Sequence, residues 1–267
     1  MGTSSSYGGP GRGGGLLPPW AEKVPGETSP PPAIVPPGVS WGAAKTQMTL
    51  FGSSEGGRSE SGRARLGSAM RHFVGSQGGT ARAARSARAG RRTAQRFTGF
   101  LATLTTQGVD AAAKRFHLQQ YLGRSAEELL AGLVDRIAPS GAQLEDAAAR
   151  SAAVTTLAEL FRERGVEDNG LAALESLSPD DVRETLLAFV VNYLDERISQ
   201  VLAKGLEDRP ADEVRAREQD IHRFIEETVR LDLSGVDLRM DWNSTAAGRV
   251  IERILQDAYG FIESAPT

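Results

Sequence analysis

The chain has 267 residues, with 31 Lys and Arg against 34 Asp and Glu, no Cys and 30 Gly. Without Cys there is neither a disulfide framework nor a thiolate metal site, and the length allows one or two domains with a true core. The net charge of −3 hides an asymmetry: residues 1–109 carry 13 basic against 4 acidic side chains (+9), and residues 110–267 carry 18 against 30 (−12).

Residues 1–60 read as a flexible N-terminal tail. They hold 13 of the 30 Gly and 9 of the 13 Pro, so they bury too little apolar surface to offset the entropy of ordering. Pro30-Pro31-Pro32 and Pro36-Pro37 favour an extended, semi-rigid spacer. Met1-Gly2 is the small-residue context in which the initiator Met is removed, which would expose the α-amine of Gly2. The first twenty residues lack the apolar stretch of a signal peptide. Trp20 and Trp41 either fold back on the body or mark docking points. Trp41-Gly42-Ala43-Ala44-Lys45 leads into Met48, Leu50 and Phe51 as a short helix, which Gly56-Gly57 interrupts.

Residues 61–109 read as a basic Ala/Arg-rich helical segment with nine Arg and no acid. Leu66, Met70, Phe73 and Val74 share one helix face, and Gly75 to Gly79 break that helix. Thr80 caps the next, predicted to run to about Thr106 with Gly90 and Gly99 as weak points. On it Arg82, Arg85, Arg88, Arg92 and Arg96 step by three, three, four and four, one continuous stripe. Five like charges need a compensating partner: a nucleic-acid backbone, an acidic protein surface, or the chain's own acidic half. The pairing of +9 with −12 favours the last two, and no aromatic side chains are interleaved for base stacking.

Residues 110–267 read as an acidic helical bundle. Ser125 with Glu128 forms a capping-box pair before Leu129, Leu133, Val134 and Ile137, and Pro139 stops that run. Leu144 to Phe161 is a longer helix ending at Gly165. Ser178-Pro179-Asp180-Asp181 starts a helix whose apolar positions run from Val182 to Leu202 and end at Gly205. Two more helices cover about 211–231 and 244–263. Strand signals are confined to a short alternating patch, Leu231 to Leu238, broken by Gly235. The fold class is therefore all-α, a helical bundle behind a long disordered Gly/Ser/Pro-rich tail.

Motifs for catalysis are weak. Gly9-Pro10-Gly11-Arg12-Gly13-Gly14 satisfies GxGxxG, but no strand precedes it and no helix follows. Glu218 and His222 stand four apart on a helix, without the Glu-x-x-His pairs a di-metal bundle needs, so a solvated His222 is expected. The doublets Glu127-Glu128, Asp180-Asp181, Asp195-Glu196 and Glu226-Glu227 are explained by capping and solvation. The expectation is a protein that is not an enzyme, with no cofactor and no metal. The most apolar uncharged run, Thr185 to Leu194, is too short to span a membrane, so a cytoplasmic location is expected.

The opening MGTSSSYGGPGRGGGLLPPW, the Trp41-Gly42-Ala43-Ala44-Lys45 element and the stretch LGSAMRHFVGSQGGTARAARSARAGRRTAQRFTGFL (Leu66 to Leu101) together resemble the QatB family, the small non-enzymatic component of the bacterial Qat anti-phage defence system. The resemblance runs the length of the chain and is most specific in the tail and the Gly/Ala/Arg stretch. It implies three partners: a QueC-like enzyme related to deazaguanine synthesis, a P-loop ATPase and a TatD-like metal nuclease. It further implies that the QueC-like enzyme attaches a deazaguanine group to Gly2, with Thr3 read beside it. Met1-Gly2-x-x-x-Ser6 also fits N-myristoylation, but that machinery is eukaryotic, whereas the Ala/Gly/Arg bias and the resemblance point to a bacterium. The expected function is presentation of Gly2 to a modifying enzyme by a helical scaffold that docks partners through Thr3, Trp20, Trp41 and the arginines 82–96. The alternative is a nucleic-acid-binding adaptor that uses the arginine stripe.

Overall fold

Serine hydroxyls begin five of the helices in a computed structural model that describes residues 39–57, 59–138, 140–202 and 210–266. Ser40, Ser59, Ser125, Ser178 and Ser244 each accept a hydrogen bond from the backbone N–H three residues on, which satisfies a donor that the first turn leaves unpaired. At Ser125 the bond is reciprocated by Glu128, completing the expected box. At Ser178 the Asp181 carboxylate accepts the Ser178 N–H at 2.8 Å. That bond, the Ser178 hydroxyl and then Arg164 at 2.6 Å hold the Asp181 carboxyl below its usual range.

The helices in chain order are α1 (Trp41–Gly52), α2 (Glu60–Ser76), α3 (Thr80–Ser86), α4 (Arg88–Gln107), α5 (Val109–Arg115), α6 (Ala126–Ile137), α7 (Leu144–Arg164), α8 (Val166–Asn169), α9 (Pro179–Leu202), α10 (Ala211–Thr228) and α11 (Thr245–Glu263). No strand occurs among the described residues. The alternating patch 231–238 is an irregular segment that buries Leu233 and Val236. Gly2, Thr3, Trp20 and the Gly9–Gly14 motif lie outside the described residues, as does Gly205.

Residues 34–267 cluster as one unit and residues 1–33 as another. Within the larger unit, packing crosses the composition boundaries at 60 and 109. α1 lies along α2, α4 packs on α7 and α9, α11 crosses α2, α3 and α4, and α10 lies on α9. α4 and α9 meet at the centre, where Phe97 stacks on Phe189 at 5.6 Å and Phe189 on Tyr193 at 6.2 Å. At the edge Trp41 rests 6.1 Å from the Phe73 ring, with the Lys45 ammonium 5.5 Å above the indole.

The helix expected from Thr80 to Thr106 is two helices. The chain leaves helical geometry at Ala87 (φ −74°, ψ 55°), a residue with no local reason to break a helix. The break goes with tertiary hydrogen bonds made by the Ala89 and Gly90 N–H groups just after it, described below. Gly90 stands three residues on, where Tyr193 passes over it: a Cβ on Gly90 would lie 2.3 Å from the Tyr193 ring. In Gly260 of α11, by contrast, a Cβ would meet nothing within 4 Å.

The two glycines therefore predict opposite signs for one chemical change. Gly260→Ala should stabilise the protein by about 0.5–1 kcal/mol through helix propensity alone. Gly90→Ala gains the same propensity but forces an anchored ring aside, an overpacking cost of about 1–3 kcal/mol, so the net effect is destabilising. Urea denaturation of the two variants beside the parent reads both signs.

Candidate functional site

The polar centre of the fold is built around Arg197 on α9. Its guanidinium donates to the Tyr259 hydroxyl at 2.6 Å, the Ser86 hydroxyl at 2.7 Å, the Gln77 side-chain carbonyl at 2.9 Å, and the Tyr193 hydroxyl and Ala83 carbonyl at 3.3 Å each. Tyr193 in turn donates to Glu145 Oε1 at 3.0 Å. The same carboxylate oxygen accepts the Ala89 N–H at 2.8 Å and the Gly90 N–H at 3.2 Å. Glu145 thus serves as the cap that Ala87 cannot supply to α4. Burial raises both phenols, Tyr259 to about 12 and Tyr193 well above its ordinary value. Both stay protonated at neutral pH, so the Tyr193 hydroxyl remains a donor to Glu145.

This arrangement divides the arginine stripe. Arg82 and Arg85 lie on α3, and Arg88, Arg92 and Arg96 lie on α4, so the five do not share one helix face as the sequence reading had it. Arg88 and Arg92, joined by Arg91, line one wall of an open cleft of about 690 Å3. Its other walls are the start of α7 (Gln143, Glu145, Asp146) and the start of α11 with Arg249 and Glu252. Arg92 and Arg96 also border an adjoining pocket of about 240 Å3 beside Asp146. Arg91 is paired with Glu252, and Arg92 meets Asp146 at 3.6 Å. Among the described residues, Arg85, Arg88, Arg96 and Arg249 make no ion pair. Arg91 and Arg249 are absent from the predicted stripe: Arg91 stands three after Arg88 but five before Arg96, and Arg249 is 153 positions beyond Arg96.

A second concavity, of about 890 Å3, runs between α11 and the irregular segment before it. Leu231, Leu233, Val236, Met240, Ile254 and Phe261 give it apolar walls, and Phe261 is 36% exposed. Trp41, at the start of α1, is 37% exposed. Among the described residues no group of three or more His, Asp or Glu is placed to hold a metal ion, and no helix is long and apolar enough to cross a membrane.

His222 departs from the solvated state expected of it. It is half-buried and its Nδ1 lies 3.1 Å from Asp195 Oδ2 on α9, tying α10 to the bundle. The Asp195 hydrogen bond outweighs desolvation and raises the His222 pKa above 6.5. The partner is on another helix, so no spacing along α10 reveals it.

A family model described as "QatB: Qat anti-phage system associated protein QatB" matches residues 78–262. No curated protein and no solved structure matches the chain. The matched span begins at Gly78, just ahead of α3, and ends at Ile262 in the last turn of α11. It therefore contains Arg197, Glu145, both tyrosines and every arginine of the cleft.

Two measurements test these contacts. Glu145→Ala strands the Ala89 and Gly90 donors and the Tyr193 hydroxyl, and should lower stability by about 1–3 kcal/mol in urea denaturation. The His222–Asp195 pair contributes fully below the unfolded pKa of 6.5 and is lost as pH rises through the higher folded value. Between about pH 6 and pH 8.5 the parent protein should therefore lose more stability than His222→Gln does.

Proposed function

The chain belongs to the QatB family, and we propose that this anti-phage defence component presents the α-amine of Gly2 to a QueC-like enzyme while its helical body docks partner proteins. The observation that carries the reading is the division of the chain. Residues 34–267 form the unit that holds the core of the described residues, and the Gly/Ser/Pro-rich residues 1–33 form another. Gly2 and Thr3 belong to the second, and an acceptor must enter another protein's pocket rather than stay in its own core. An α-amine with its ordinary pKa of about 7.7–8.0 leaves a useful neutral, nucleophilic fraction at cytoplasmic pH.

The docking half of the reading draws on exposed apolar surface. The groove closed by Phe261 and the Trp41 end of α1 offer the kind of aromatic-centred surface on which partners concentrate binding energy. The P-loop ATPase and the TatD-like nuclease of the same system are the partners assigned to it. Catalysis is assigned to those partners and to the QueC-like enzyme.

The test is an intact-mass measurement of the N-terminal peptide after production with and without the QueC-like enzyme. The expected result is a mass gain on Gly2 that requires the enzyme and disappears when the α-amine is blocked by acetylation. An unmodified Gly2 in both preparations would overturn the acceptor role.

A further inference from the structure

We propose that the cleft between α4, α7 and α11 binds a small phosphorylated ligand, with its phosphate group held among Arg88, Arg92 and Arg249. The argument begins with which charges are already used. All three carboxylates of the cleft are engaged. Glu145 holds the Ala89 and Gly90 N–H groups and the Tyr193 hydroxyl. Asp146 accepts the Gln143 N–H at 3.2 Å and faces Arg92, and Glu252 is paired with Arg91. Against them stand four arginines, of which the side chains of Arg88 and Arg249 make no ion pair or hydrogen bond with any described residue.

These two come from different helices, α4 and α11, and reach the same cleft from separate walls. Arg92 is held loosely, at 3.6 Å from Asp146 with its side chain 68% exposed, and is free to turn toward a stronger anion. Arg91 brings a buried Nε that has no acceptor. A planar guanidinium donates two parallel N–H bonds, and phosphate oxygens match that fork. The starts of α4, α7 and α11 all border the cleft. Glu145 takes two N–H groups of α4, Asp146 takes the Gln143 N–H just ahead of α7 and Ser244 takes the Ala247 N–H of α11; the helix starts are counted only as a favourable field.

The rest of the lining tells what the phosphate is attached to. Gln95, Gln143, Asn243 and Thr245 supply amides and a hydroxyl, and no aromatic ring is present for a base to stack on. A cleft of about 690 Å3 admits a ligand of nucleotide size. Recognition therefore centres on the phosphate. A free nucleotide and the 5′-terminal phosphate of an oligonucleotide offer the same chemistry. The inference does not rest on Gly2, and blocking the N-terminal amine should leave this binding unchanged.

The experiment is calorimetric titration of the full chain with inorganic pyrophosphate, with adenosine diphosphate, and with one single-stranded oligonucleotide carrying or lacking a 5′-phosphate. Saturable binding of pyrophosphate or of a 5′-phosphorylated probe is expected. The double variant Arg88→Gln, Arg249→Gln should weaken it by about tenfold or more. Its melting temperature should match the parent's, because both side chains are exposed and without partners. Arg85→Gln, on α3 outside the cleft, should bind as the parent does. A stronger response to the diphosphate or to the phosphorylated oligonucleotide identifies the source. Failure of every probe to saturate would overturn the proposal, as would binding that survives the double substitution. So would oligonucleotide binding that ignores the 5′-phosphate and weakens equally in Arg85→Gln, which would place a nucleic-acid backbone on the exposed arginines of α3 and α4.

Discussion

A guanidinium held against two buried phenols is the constraint from which the rest of this bundle follows. Arg197 reaches from α9 to the end of α2 through Gln77, to α3 through Ala83 and Ser86, and to α11 through Tyr259. A charge in such a place is tolerated only when its donors are matched, and here five oxygens match them. Removing any one side-chain partner would leave donors facing a core that already includes fully buried Tyr193 and Tyr259. The network is local in space and remote in sequence, so it fixes how four helices meet.

Its second effect is on the chain's basic stretch. The Ala89 and Gly90 N–H groups are committed to Glu145, which Tyr193 joins to the Arg197 network, and so are not given to the Arg85 and Ser86 carbonyls four residues back; the helix is interrupted there. The break at Ala87 turns α4 so that Arg88, Arg91 and Arg92 face the starts of α7 and α11. Ion pairs join the basic segment 61–109 to the acidic residues that follow it. Arg63 meets Glu227 at 2.8 Å, Arg91 meets Glu252 and Arg92 meets Asp146, each pair joining the basic stretch to the acidic one. Exposed pairs of this kind are each worth little. Their use is to consume the carboxylates near the cleft, which leaves the unmatched charge there positive.

The molecule therefore divides its surface by chemistry. One side of α11 borders a polar cleft rich in arginine, and the other borders an apolar groove closed by Phe261. The cleft lies wholly within the matched span 78–262, and the groove does so except for Ser264. The candidate acceptor at Gly2 belongs to the other unit of the chain. The proposed docking surfaces and the proposed modification point thus lie on separate segments of the chain.

Helix positions were legible in the sequence because their causes are local. Ser125 and Ser178 start helices through bonds to residues three positions on, Gly165 ends α7 with a left-handed backbone (φ +66°), and the spacing of Val182, Leu186, Phe189 and Val190 assigns the buried face of α9. The all-α class and the charge asymmetry follow from the same short-range information. Nothing short-range marks Ala87 as a break, Glu145 as the cap of a helix 56 residues away, or Asp195 as the partner of His222. The cleft belongs with these, since Arg249 joins Arg88 only after α11 packs on α4. Periodicity determines which face of each helix is buried, whereas the choice of what a buried polar group bonds to is made between helices, by desolvation and geometry that exist only once the bundle has closed.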